Sequence, residues 1–130
     1  MSNSVLYVAN TTTQTLAATD PISFGNVIRR CGNNIKSDGV NVVVSSSGYY
    51  DVDTNFTFIG STGTTTITLY KDGVRIPGAT VTLTTVATVE YTVSIPAIVR
   101  QSCCCDSVIT AVLSGSAATF SNAAMTISKI

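Results

Sequence analysis

Thr, Val and Ile supply 48 of the 130 residues, against only 5 Leu and no His or Trp. Side chains branched at Cβ lose rotamer freedom against a helical turn but pack well on a pleated surface. A chain this rich in them and this poor in Leu is built to form sheets. The absence of His, with the acidic residues scattered singly, also removes most of the groups on which acid–base and nucleophilic catalysis rely. The residues therefore point to a binding or structural module, with no enzymatic activity and no cofactor expected.

The length accommodates one core. Seven cationic and seven acidic residues cancel. No segment has the clustered cations needed to displace counterions from phosphates, so a nucleic-acid partner is not expected. Charged residues make up 11% of the chain, while 21 Thr and 15 Ser keep it polar. A surface wetted by hydroxyls repels its own copies weakly and suits a protein that lives in an assembly. Met1-Ser2-Asn3-Ser4 lacks the cationic start of a signal peptide, and no run approaches the length of a membrane span. Synthesis in a cytoplasm and no membrane partner are the expectations. The sequons at Asn10 and Asn55 are then chance matches in Thr-rich sequence.

Along the chain, residues 1–19 read as an N-terminal arm or peripheral strand, with Val5, Leu6, Tyr7 and Val8 as its attachment segment. Asp20-Pro21 opens a domain spanning 20–130. Strands and turns then alternate every 8–12 residues or so, as in a sandwich or barrel. Expected strands cover Ile22 to Ile28, Val40 to Val44, Tyr49 to Ile59, the stretch around Ile67 and Leu69, and that around Val81 and Leu83. They continue over Val89 to Ile95, Val108 to Leu113, and Ala123 to Ile130. Tyr49 to Ile59 is the clearest: Tyr50, Val52, Phe56 and Phe58 alternate with Asp51, Asp53, Asn55 and Thr57, so one set faces a core and the other solvent. Ile67, Leu69, Val89, Val93 and Val108 complete the expected core. Lys71-Asp72-Gly73-Val74 reads as a two-residue hairpin, Ile76-Pro77-Gly78 as a further turn, and Pro96 as a strand end. The expected architecture is an all-β sandwich of about ten antiparallel strands and no helix.

Three segments carry a resemblance: Gly48-Tyr49-Tyr50-Asp51-Val52, the run from Ile67 through Asp72-Gly73 to Gly78, and the end Met125-Thr126-Ile127-Ser128-Lys129-Ile130. Together they resemble the tumour necrosis factor-like and complement-q-like jelly roll in its bacterial and phage form. That form includes the C-terminal domains of collagen-like exosporium glycoproteins. Arg100-Gln101-Ser102-Cys103-Cys104-Cys105-Asp106 is similar to a stretch of short Firmicutes phage structural proteins. The resemblance covers residues 20–130 and implies a compact homotrimer that caps a fibre or stalk or decorates a capsid, with Tyr49 and Tyr91 on the sheet toward the trimer axis. It implies a virion location, or alternatively a bacterial cell or spore surface. No Gly-X-Y repeat or helical stalk accompanies it, so attachment to a capsid or fibre protein falls to the arm. A carbohydrate- or receptor-binding module of the same shape is the competing expectation. It is disfavoured because Trp is absent and the Tyr residues fall on strands.

Cys31 and the run Cys103-Cys104-Cys105 form the one constellation with chemistry to weigh. On a strand, Cys103 and Cys105 face one side and Cys104 the other. Reduced structural thiols, a disulfide between Cys31 and the triplet, and a soft-metal site converging on a threefold axis are three readings. Asp51 with Asp53 offers too few oxygens for calcium and reads as a solvated face. Glu90 reads likewise, and Arg29-Arg30 as a surface pair.

Overall fold

The computed structural model describes residues 4–17, 19–32, 34–101 and 106–130. Among them the chain forms eleven strands and no helix: β1 (Val5–Asn10), β2 (Gln14–Leu16), β3 (Asn26–Cys31), β4 (Ile35–Ser37), β5 (Val42–Val44), β6 (Gly48–Gly60), β7 (Gly63–Lys71), β8 (Val74–Thr85), β9 (Glu90–Gln101), β10 (Ser107–Gly115) and β11 (Ala118–Lys129). One sheet has the order β3-β1-β11-β6-β9, with β2 also on β11, and the other the order β4-β5-β10-β7-β8. Every pairing is antiparallel. The two sheets face each other as a jelly-roll sandwich.

The alternation in β6 is realised in full. Tyr50, Val52, Phe56 and Phe58 are completely buried, joined by Thr54, whose hydroxyl donates to the Ile95 carbonyl at 2.8 Å. Down the middle of the sandwich, Phe56 meets Phe24 at 5.8 Å and Phe120 at 6.1 Å between ring centroids, and Phe58 meets Phe120 at 5.2 Å and Tyr91 at 5.9 Å. These tilted and edge-on contacts are the arrangements that aromatic quadrupoles prefer. Ile67 and Leu69 of β7 close the core from the opposite sheet. The hairpin at Asp72-Gly73 forms as expected: both residues have positive φ, 53° and 78°, and Lys71 pairs with Val74. The Asp72 carboxylate then accepts the Val108 N–H at 2.9 Å, tying this hairpin to β10.

The largest departure concerns the N-terminal segment. Val5–Asn10 is an interior strand hydrogen-bonded on both sides, to β3 and to β11, and Leu6 and Val8 are completely buried. Val5–Asn10 is therefore not a peripheral strand, and Leu6 and Val8 are core residues with no surface to offer a partner. Val5 is half-buried, and Tyr7 alone of the four turns a substantial area to solvent.

Smaller corrections follow from edge strands and parity. Ile22 and Phe24 are buried but lie ahead of β3, whose six residues are all exposed. β8 and β9 run through Pro77 and Pro96 because both are edge strands, where a missing N–H can face away from the ladder. The expected turn at Ile76-Pro77-Gly78 is a bulge, with the pairing jumping from Thr68↔Thr80 to Tyr70↔Arg75 and Gly78 at φ 79°. In β10 the buried parity is Ile109, Ala111 and Leu113, leaving Val108 half-buried on the outer side. Val93 is half-buried against the core, and Val89, ahead of β9, is 43% exposed.

Candidate interaction surface

The solvent face of the six-stranded sheet is organised in rows by strand register. Arg29, Tyr7, Thr126, Asp53 and Pro96 oppose one another across β3, β1, β11, β6 and β9. The next row runs Ala9, Ala124, Asn55, Ser94, and the row on the other side runs Val5, Ser128, Asp51, Ile98. Small side chains at Ala124, Thr126 and Ser94 stand between taller ones at Tyr7, Asp53 and Pro96. The difference in height leaves an open depression of about 580 Å³, floored by the middle of the sheet.

A second concavity, about 390 Å³, lies where edge strands β8 and β9 of the two sheets meet. Val74 and Ile98 border it at 69% and 64% exposure, beside Pro77, and Lys71, Arg75 and Arg100 surround them. Three of the seven cations of the chain thus gather on one edge. Sequence reading missed this groove because its residues come from two segments more than 20 positions apart. The one local signal was two large apolar residues, Val74 and Ile98, at outward positions on edge strands.

The two tyrosines expected at a trimer axis point to opposite sides of their sheet. Tyr49 is 55% exposed on the outer face, opposite Arg100. Tyr91 pairs with Phe58 on the inner side and accepts a hydrogen bond from the Val86 N–H at 3.1 Å. Tyr91 is thereby used inside its own sandwich, and Tyr49 remains available. Asp51 and Asp53 lie on the outer face, as their alternation indicated.

Cys31 ends β3 as an exposed free thiol. Cys103, Cys104 and Cys105 lie outside the described residues, and with them the disulfide and axial-metal readings. Among the described residues no group of three His, Cys, Asp or Glu is placed to hold a metal ion. Among the described residues a shifted ionisation is seen at Asp38, outside both concavities. The Asn41 N–H, the Asn41 side-chain amide and the Val40 N–H, in that order, hold its carboxyl below the usual range. The surface offers shape, hydroxyls and two outward aromatics.

No family model matches the sequence, and no curated protein matches it. Solved structures match over almost the whole chain. Murine APRIL at pH 8.5 superposes with a TM-score of 0.78 at 14% identity, covering 98% of this chain and 99% of that one. The globular domain of the zebrafish complement 1qA protein gives 0.73 at 11% identity, covering 98% and 96%. The vertex protein P5 of PRD1 gives 0.61 at 12% identity, covering 100% and 99%. At these identities the likeness establishes the fold, and the fold is the jelly roll shared by these proteins.

Proposed function

We propose that this chain, a jelly roll of the tumour necrosis factor and complement-q type, is a non-enzymatic structural module that works as a homotrimer on the surface of a phage virion, as a capsid decoration, head fibre or fibre tip. The observation that carries the reading is the end-to-end likeness to a phage vertex protein, covering both chains almost completely. Two features of the chain support it. Among the described residues the linings of both concavities hold neither His nor Cys, and Tyr7, Tyr49 and Ile98 leave apolar area on the outer face of one sheet. Interfaces are enriched in tyrosine because its large ring buries well and its hydroxyl still finds a partner.

Leu6 and Val8 are buried, so attachment through them is not part of this reading. Contacts with a capsid or fibre protein are assigned to exposed loops and edges. Proteomics of purified particles, with antibody labelling in electron microscopy, tests the location. A signal at regular sites on the particle supports it, and recovery of the protein only from the host cell fraction overturns it.

A further inference from the structure

The two sheets end in four strands, β3 and β9 in one and β4 and β8 in the other. Three of these ends are poor templates for a further strand. β4 is three residues long, and β8 and β9 carry Pro77 and Pro96, each of which removes a backbone donor from its edge. β3 is different. It runs six residues without proline, and among the described strands it alone has every residue exposed, with Val27 at 42% and Ile28 at 45%. Its register with β1 slips at Ile28, which has no partner there. The Ile28 carbonyl instead accepts a hydrogen bond from the Arg29 guanidinium at 3.1 Å, so a side chain serves where the N–H of a strand would.

We infer that β3 receives an extended, acidic segment of another protein as one further strand of the six-stranded sheet. The incoming strand exchanges backbone hydrogen bonds with the outer side of β3, and its apolar side chains cover Val27 and Ile28. Arg29 leaves the Ile28 carbonyl to a backbone N–H and turns to a carboxylate on the new strand, a charge-assisted bond between cross-strand neighbours. Charge selects the partner, because β3 carries Arg29 and Arg30 and no acid. A second copy fits poorly: antiparallel pairing of β3 with itself gathers the Arg29 and Arg30 of both copies along one seam, where like charges repel. This rests on the reading that the chain attaches to its particle through exposed loops and edges, and it specifies the edge and the chemistry of the partner.

Amide hydrogen exchange of the full chain tests the docking, with a short peptide of alternating Val and Glu as the probe and its Val and Lys counterpart as the control. At a saturating concentration the Val/Glu peptide should slow exchange of the β3 amides that face away from β1 by at least ~10-fold, and the Val/Lys peptide should leave them unchanged. Arg29→Glu should invert this preference. Arg29→Gln should weaken the Val/Glu peptide without gaining the other, and it carries the comparison if Arg29→Glu alters the circular dichroism of the protein. Inversion, or selective weakening in Arg29→Gln, supports the contact. An equal response to both peptides, protection confined to other strands, or no response to either overturns it. Concentration-dependent protection of β3 in the free protein overturns it in favour of a second copy. Each of these failures leaves attachment itself to be decided by whether purified particles carry the protein.

Discussion

Phe56 sits where the account is most exposed to refutation. Its ring is completely buried between Phe24 and Phe120, midway along the longest strand. Replacing it by Ala removes the transfer free energy of the ring and leaves a cavity walled by the two sheets, at a cost of ~3–5 kcal/mol. Two aromatic contacts vanish with it, each worth roughly 0.5–1.5 kcal/mol beyond area burial and mostly contained in that range. With an unfolding entropy of roughly 2.1 cal/mol/K per residue over 130 residues, a loss of ~4 kcal/mol lowers the melting temperature by roughly 15 °C. Asn55, the adjacent position, faces solvent on the outer side, and Asn55→Ala should cost under ~0.5 kcal/mol. Urea melts of both variants, at one protein concentration, compare the two sides of β6 directly. If Asn55→Ala proved the costlier change, the register of β6 against β9 and β11 would be wrong by one residue, and with it every outward position on the proposed face.

Thr54→Val should cost about 0.5–1.5 kcal/mol despite its similar shape, because it deletes the buried hydroxyl that donates to the Ile95 carbonyl; denaturant melts measure it. Gly115→Ala should destabilise clearly in thermal melts, since Gly115 has φ 84° and a Cβ there would collide with the Thr64 carbonyl oxygen. Cys31 should be alkylated by iodoacetamide in the native protein, and peptide mass mapping that finds it protected would contradict its exposed position. The Asp38 carboxyl should titrate below a free aspartate in carbon-detected NMR. Its folded-state value is depressed, so its contribution to stability is present above the ordinary carboxylate range and lost as pH falls through the folded value.

The sequence made some elements legible and concealed others for identifiable reasons. β6 was readable because large apolar residues alternate with acids and amides, so only one register buries them. In β10, Val108 and Val112 have the same apolar character as Ile109, Ala111 and Leu113, so alternation could not choose a parity. The choice is made by pairing with β7, where Leu69 opposes Ala111 and Ile67 opposes Leu113. β1 looked like an arm because its partner is the far end of the chain, Val5 opposite Ser128, and no local pattern announces such a pairing. Pro77 and Pro96 read as terminators because proline ends central strands. Their tolerance depends on edge position, a property of the assembled sheet. Of the expected interface residues, outward Tyr49 was legible from its parity, whereas Tyr91 was withdrawn into the sandwich by Phe58. The groove at the β8–β9 edge required folding to bring Lys71, Asp72 and Arg75 beside Arg100.

The central claim, that three copies form one closed particle, is tested most directly by native mass spectrometry of the purified protein sprayed from micromolar solution. The account predicts a dominant species of three times the 13.5 kDa chain mass. A dominant species of one or two chains would contradict it.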